Sequence, residues 1–133
     1  MALALGVAAL GAFGCVLRYL LDHTMAGRFG RSLPFGTMTI NIIGSGFGGI
    51  LVGAALQMGI AAHTETLLLT GLLGGFTTAS TFSFEVAELL RRQRFVAGVL
   101  VAVGTMTVAL FAGAFGVYLG EISTPITALS WLH

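Results

Sequence analysis

The sequence predicts an all-α membrane protein with four transmembrane helices, the third of which is broken. Hydrophobic residues make up 56% of the chain and charged residues 8%, with a mean hydropathy of +1.00. This composition excludes an ordinary soluble domain. Four charge-poor stretches also have the roughly 20 residues that a helix needs to cross a bilayer. Glycine and hydroxyl residues interrupt the third stretch between Gly74 and Ser80.

The four predicted spans belong to one domain over residues 1–133 and cover about residues 2–21, 35–58, 66–90 and 95–119. Pro34 closes the polar first connection, a common position for proline at a helix start. The second and third connections are short, so neighbouring helices should be antiparallel. Residues 120–133 are too few to cross the membrane, and Pro125 interrupts them. We expect this tail to lie along the interface, with Trp131 as an anchor.

Arginine lies on only one side of the predicted bundle. Loops one and three share that side and contain Arg28, Arg31, Arg91, Arg92 and Arg94, and Arg18 lies at the same end of span one. The opposite side contains no Lys or Arg. The positive-inside rule then predicts cytoplasmic loops one and three, with both termini outside. A net charge of +1 leaves no basic surface for nucleic acid.

The stretch Gly71–Glu85 carries the main functional signal. Gly74 and Gly75 lower the barrier to unwinding, and the hydroxyl residues after them can bond freed backbone groups or face a permeating species. An unwound segment persists at membrane depth only where it is buried in protein or lines a polar cavity. The alternative is a glycine-rich helix contact with back-bonded hydroxyls. Glycine, Ser and Thr fill seven of the ten positions 74–83, which favours a functional break.

Four other polar residues in the spans are candidates for structural or pore roles. Asn41 forms either an interhelical hydrogen bond or a pore contact, because an amide in hydrocarbon needs a partner. Arg18 either snorkels to the interface or lies at the pore mouth. Glu88 is expected to pair with Arg92 at i,i+4, whereas Glu85, one turn deeper, is a better candidate for the pore mouth.

Enzymatic and side-chain metal sites are not predicted. The chain has no visible set of nucleophile, base and acid, and no His, Cys and acid cluster. Gly44–Gly49 matches G-x-G-x-x-G, but it lies in a charge-free run without a preceding strand. The pairs Gly44/Gly48, Gly49/Gly53 and Gly71/Gly75 instead indicate close helix packing through small-xxx-small spacing.

Three patches of the sequence together carry a resemblance to a known family. They are Gly11-x-x-Gly14-x-x-x-Arg18-Tyr19 in span one, Pro34-Phe-Gly36-Thr37-x-x-x-Asn41-x-x-Gly44 in span two, and GGFTTASTFSFE in span three. With these patches the chain resembles the Fluc/CrcB family of small bacterial fluoride ion channels along nearly all its length. The resemblance implies passive export of cytoplasmic fluoride across the bacterial cell (inner) membrane by an antiparallel dimer with two pores. It also implies a structural sodium ion at the dimer centre, held by the main-chain carbonyls of Gly74 and Thr77.

The resemblance also assigns the pore. It implies fluoride contacts from Asn41, Phe82, Ser80, Thr81 and Ser83, with Glu85 and Arg18 at the mouth. Neutral donors and the positive edge of a phenyl ring can contact an anion and still release it. The family motif TTFSTFS reads TTASTFS here, so Ala79 replaces the first aromatic residue. In span four, Thr105 or Thr107 is the expected polar contributor.

The expected partner is a homologous chain of opposite orientation. A homodimer would have to insert in both orientations, which the one-sided arginines disfavour, and it would lack the same ring in both pores. The alternative is a homodimer that tolerates Ala79. Two competing functions remain open: a non-conducting partner subunit, and a small multidrug-type proton-coupled exporter, which would need an acid inside the bundle.

Overall fold

A computed structural model describes residues 1–58 and 60–123. Its elements are α1 (Ala2–Phe29), α2 (Phe35–Met58), α3 (Ala62–Thr66), a π-helical segment (Leu67–Leu73), α4 (Gly74–Phe76), α5 (Ala79–Arg91) and α6 (Phe95–Ile122). The elements from α3 to α5 form one long third helix that is bent at Thr77 and Thr78. No strand occurs in the two described ranges. The predicted all-α fold with a broken third helix is therefore confirmed.

Within the described residues, four helices are long and apolar enough to cross a membrane. They are Ala2–Phe29, Phe35–Gln57, Ala62–Arg91 and Phe95–Ile122. Large apolar side chains face outward along them; Leu110, for example, is 73% exposed and Phe111 70%. Such side chains are favourable where lipid tails surround the protein. The chain is a multi-pass membrane protein.

Helix ends are set by a few local contacts. Helix α1 continues past the predicted span end at residue 21 and stops at Phe29, where Gly30 has φ = 73°. The N–H of Gly30 donates to the Ala26 carbonyl at 3.0 Å, an arrangement common at helix ends. Helix α2 begins after Pro34, whose carbonyl accepts from the N–H of Met38 at 3.0 Å. The predicted tail falls largely on residues 124–133, outside the described residues, and Trp131 is among them.

Helices α2 and α6 approach one another through glycine. A Cβ atom added at Gly49, Gly53, Gly116 or Gly120 would clash with a main-chain carbonyl of the facing helix. Without a side chain in the way, the two backbones can lie in direct contact, which stabilises helix pairs in a membrane. The predicted packing role of the pair Gly49/Gly53 is confirmed.

Helix α1 packs in the same way against the third helix, just before its bend. A Cβ atom on Gly14 would clash with the carbonyl of Leu72 and would lie 2.8 Å from the Phe76 nitrogen. A Cβ atom on Gly75 would clash with the carbonyl of Gly11. These backbone contacts hold α1 against the π-helical segment and α4, and so position the bend beside α1.

Candidate functional site

The bend consists of two extended residues between two capped helix ends. The N–H and the Oγ1 of Thr77 both donate to the Leu73 carbonyl at 2.9 Å, which closes α4. Thr77 then has ψ = 159°, and Thr78 has φ = −152° and ψ = 110°. The Oγ1 of Thr78 accepts from the N–H of Thr81 at 3.2 Å and caps α5. The break is thus shorter than the predicted range from Gly74 to Ser80, because α4 and α5 remain helical on either side.

Asn41 of α2 supports the extended backbone with both ends of its amide group. Its Nδ2 donates to the Thr78 carbonyl at 3.0 Å, and its Oδ1 accepts from the Thr78 N–H at 2.9 Å. Thr78 is only 7% exposed, so these groups could not be satisfied by bulk water. The interhelical hydrogen bond that sequence reasoning left open for Asn41 is therefore present.

In the same contacts, two backbone N–H groups donate to acceptors other than their regular helical ones. In an uninterrupted helix, the N–H of Thr78 would donate to the Gly74 carbonyl and the N–H of Thr81 to the Thr77 carbonyl. Here the first donates to Asn41 and the second to the Thr78 hydroxyl. The carbonyls of Gly74 and Thr77 thus lose their regular helical donors. Carbonyl oxygens freed in this way are suitable ligands for a hard cation, so these two residues fit the sodium ion that the resemblance implies.

A cavity of about 600 Å³ lies on one side of the break. It is lined by Asn41, Gly44, Ser45, Gly48, Leu69, Leu73, Gly74, Thr77, Ala79, Phe82, Ser83, Thr105, Met106 and Ala109. The polar side chains among these residues are all neutral, and Phe82 supplies the one aromatic ring. We call this space the neutral cavity. It can offer an anion hydrogen-bond donors and a ring edge without a fixed positive charge.

Thr105 is the polar residue that α6 contributes to the neutral cavity. It is 2% exposed, and its Oγ1 has no hydrogen-bond partner among the described residues. Thr107 is exposed and does not line this cavity. Sequence reasoning could not choose between the two threonines, because both lie in an apolar stretch with no helical pattern that distinguishes them.

A second cavity, of about 260 Å³, lies beside the residues that follow the break. Its lining is Cys15, Arg18, Tyr19, Asp22, Thr37, Ile40, Thr78, Thr81 and Glu85. We call it the charged cavity, since one guanidinium and two carboxylates face it. The Oε2 of Glu85 is buried there without a hydrogen-bond partner among the described residues.

The predicted site residues are divided between the two cavities. Asn41, Phe82 and Ser83 line the neutral cavity with the sodium candidates, whereas Thr81, Glu85 and Arg18 line the charged cavity. Ser80 lines neither; its hydroxyl is 3.4 Å from that of Thr78. Consecutive residues of α5 point in different directions, so one hydroxyl-rich stretch contributes to both cavities.

Sequence reasoning missed the position of Cys15. Its Sγ donates to the Gly75 carbonyl at 3.4 Å and accepts from the guanidinium of Arg18 at 3.5 Å. The thiol therefore connects the wall of the charged cavity to the helix just before the break. A signal was available, because Cys15 directly follows Gly14 and precedes Arg18 by three residues on one helix.

Residues 5–117 match the family model described as CrcB-like protein, Camphor Resistance (CrcB). Curated relatives cover nearly the same region. The chain is 37% identical over 123 residues to a protein named fluoride-specific ion channel FluC 1 from Leifsonia xyli, covering 92% of this chain and 90% of that protein. It is 37% identical to fluoride-specific ion channel FluC from Aquifex aeolicus, with 91% and 98% covered.

A third relative, fluoride-specific ion channel FluC from Geobacter sulfurreducens, is 42% identical over 113 residues, covering 82% of this chain and 91% of that protein. The matched residues contain most of α1 and α6 and all of α2, the break and α5. Both cavities therefore lie inside the region of similarity. The chain belongs to the CrcB family.

Proposed function

We propose that this chain is a subunit of a passive, fluoride-selective ion channel that lets cytoplasmic fluoride leave the cell. The observation that carries the proposal is the neutral cavity at the break, where Asn41, Ser83, Thr105 and Phe82 meet. The names of the relatives, which are fluoride-specific ion channels, support the same ion. A channel of this kind is not an enzyme, because the ion crosses chemically unchanged.

Neutral donors suit a small anion that must be both bound and released. Hydroxyl and amide N–H groups can replace part of its hydration shell. The edge of the Phe82 ring carries the positive part of the ring quadrupole and can contact the anion as well. A fixed cation in a low-dielectric site would hold fluoride much more tightly, whereas conduction requires weak binding at successive sites.

Charged residues belong to the mouth of the proposed pathway. Arg18 lines the charged cavity with Thr81 and Glu85, and its guanidinium can raise the local concentration of anions. Glu85 and Asp22 oppose this attraction, so the mouth would limit how tightly an anion is held. Thr81 then offers a hydroxyl on the way from the charged mouth toward the break.

A structural sodium ion is part of the proposal. The carbonyls of Gly74 and Thr77 would hold it, since their regular helical donors are diverted. A bound cation supplies positive charge that fixes the unwound backbone. The side chains of Asn41 and Thr78 keep the carbonyl-bearing segment extended.

The proposed partner is a homologous chain of opposite orientation in an antiparallel dimer, with a homodimer as the alternative. Five loop arginines on one face and none on the other favour one orientation in the bacterial inner membrane, with both termini outside. The replacement of an aromatic residue by Ala79 supports the same partner. A heterodimer can keep both aromatic rings of the family motif in one of its two pores.

The competing function is proton-coupled export. Such exchange needs an acid inside the bundle, and Glu85 and Asp22 line the charged cavity at the mouth rather than the neutral cavity at the break. Liposomes that contain this chain and are loaded with fluoride should therefore release it at the same rate with and without a proton gradient. A fluoride electrode measures the release. A rate that falls to background when the gradient is collapsed would favour the exporter.

A further inference from the structure

The five loop arginines differ in whether another group of the protein accepts a hydrogen bond from them. Glu88 accepts from Arg91 at 2.7 and 2.8 Å and from Arg92 at 2.7 Å, so one carboxylate occupies two guanidinium groups. The pair of Glu88 and Arg92 confirms the sequence prediction. Arg94 donates to the Ser32 carbonyl at 2.7 Å. Three of the five loop arginines thus already have hydrogen-bond acceptors within the protein.

Arg28 and Arg31 are the two loop arginines for which the described residues show no such acceptor. Both are exposed, and among the described residues neither forms an ion pair within 4.0 Å. Arg31 interacts with Glu85 at longer range and lines a cavity of about 240 Å³ that Asp22, Glu85 and Glu88 also line. The two residues are three positions apart, which limits the separation of their Cα atoms to about 11 Å. Two exposed arginines without an ion pair within 4.0 Å among the described residues therefore lie within three residues of one another at the end of α1.

Their surroundings place an apolar surface beside this charge. Phe29 lies between them in the sequence, is 57% exposed, and contacts Phe35 with ring centroids 5.5 Å apart. Arg28 is in the last turn of the first membrane helix, the depth at which lipid headgroups lie. Arg94, through Ser32, ties the loop that carries Arg31 to the turn between α5 and α6.

We infer that Arg28, Phe29 and Arg31 form a binding site for an anionic phospholipid, which occupies it with its phosphate on the two guanidinium groups and an acyl chain along Phe29. Charge complementarity supports this occupant. This face holds six arginines, the five in the loops and Arg18, and three acids, Asp22, Glu85 and Glu88, which gives it a net charge of +3. Arginine can bind a phosphate with two parallel hydrogen bonds, and basic clusters at the membrane surface attract anionic lipids. This site is independent of the proposed conduction.

Native mass spectrometry of the purified protein can test the site by counting bound lipids during titration. The probes are phosphatidylglycerol, which is anionic, and phosphatidylcholine with the same acyl chains, which has no net charge. We expect the double variant Arg28→Gln, Arg31→Gln to lose affinity for phosphatidylglycerol by roughly tenfold or more. Its affinity for phosphatidylcholine should not change, which also shows that the variant is folded.

The matched control is Arg91→Gln, Arg92→Gln, which removes the same number of charges from the same face. Because Glu88 already occupies those guanidinium groups, the control should lose clearly less affinity for phosphatidylglycerol. An equal or larger loss in the control would overturn the proposal, since binding would then follow net charge alone. Full retention of affinity in the Arg28 and Arg31 variant would overturn it as well.

Discussion

At the scale of single residues, Asn41 connects the fold to the proposed function. Its amide bonds the N–H and the carbonyl of Thr78, and the same residue lines the neutral cavity. The sequence left two roles open for Asn41, an interhelical hydrogen bond and a pore contact. The two hydrogen bonds to Thr78 establish the first role, because a membrane-buried break needs such partners.

Asn41→Ala should therefore lower stability as well as fluoride flux. The variant leaves the N–H of Thr78 without its acceptor, a loss of roughly 1–3 kcal/mol for a buried group. Thermal unfolding in detergent measures the first effect and fluoride release from liposomes the second. Ser45→Ala, one turn further along α2 and in the same cavity, is the control and should keep the wild-type melting temperature. An unchanged melting temperature in Asn41→Ala would contradict the supporting role.

Ala79→Phe should increase fluoride flux several-fold. Residue 79 lines the neutral cavity beside Phe82, and the cavity of about 600 Å³ has room for a second ring. The added ring edge would supply the aromatic contact that the resemblance assigns to this position. Ala79→Leu is the matched control, because it adds apolar volume without a quadrupole. An equal flux in the two variants would show that the ring itself contributes nothing.

The residues of the site could be predicted only in part. The hydroxyl-rich stretch, Asn41 and the glycines were visible in the sequence because such residues are unusual in a membrane helix. Which cavity each side chain lines could not be read from spacing, since Thr81 and Ser83 are two positions apart and face different spaces. Cys15 was missed because a single thiol belongs to no motif, although its position between Gly14 and Arg18 was visible.

At the scale of helices, the contact between α1 and the third helix determines the width of the charged cavity. Gly14 has no room for a side chain, because the main chain of residues 72–76 lies against it. A shift of α1 would move Cys15 and Arg18, which line the charged cavity, relative to Thr78 and Thr81. The width of the charged cavity thus depends on a backbone contact one turn away.

Gly14→Ala should destabilise the protein by roughly 1–3 kcal/mol, the usual range for forcing a methyl group into a packed contact. The control is Gly27→Ala in the same helix, where an added Cβ meets nothing within 4 Å. That variant should be neutral or slightly stabilising, because Ala is the better helix former. Thermal unfolding of both variants in the same detergent is the measurement. Equal melting temperatures would mean that α1 is free to move.

The number of helices and the break followed from the sequence, but the π-helical segment Leu67–Leu73 did not. Length and hydropathy are sufficient to predict a span, and Gly74, Gly75 and the hydroxyl residues mark where it is interrupted. The residues LLLTGLL suit an α-helix equally well. The spacing of Gly71 and Gly75 indicated the close contact with α1 that the structure has, but it did not indicate π geometry in the segment beside that contact.

At the scale of the whole molecule, the one-sided arginines should determine orientation. A tag at the C-terminus should be labelled only from outside in cells that express this chain alone, because five loop arginines favour the cytoplasm. The control variant His63→Arg, Glu65→Arg adds positive charge to the opposite loop and should produce labelling from both sides. Labelling of the unaltered chain from both sides would instead support a homodimer.

Ion selectivity in liposomes is the most direct test of a fluoride-selective pore at the break. Reconstitution from detergent allows both orientations, which an antiparallel pair of this chain would require. Liposomes loaded with both fluoride and chloride are monitored with ion-specific electrodes after the chain is reconstituted. We expect fluoride to be released passively while chloride is retained, because the break presents small neutral donors and one ring edge to the ion. Release of both ions at similar rates would contradict a fluoride-selective pore, whereas release of neither would exclude conduction by this chain without its homologous partner.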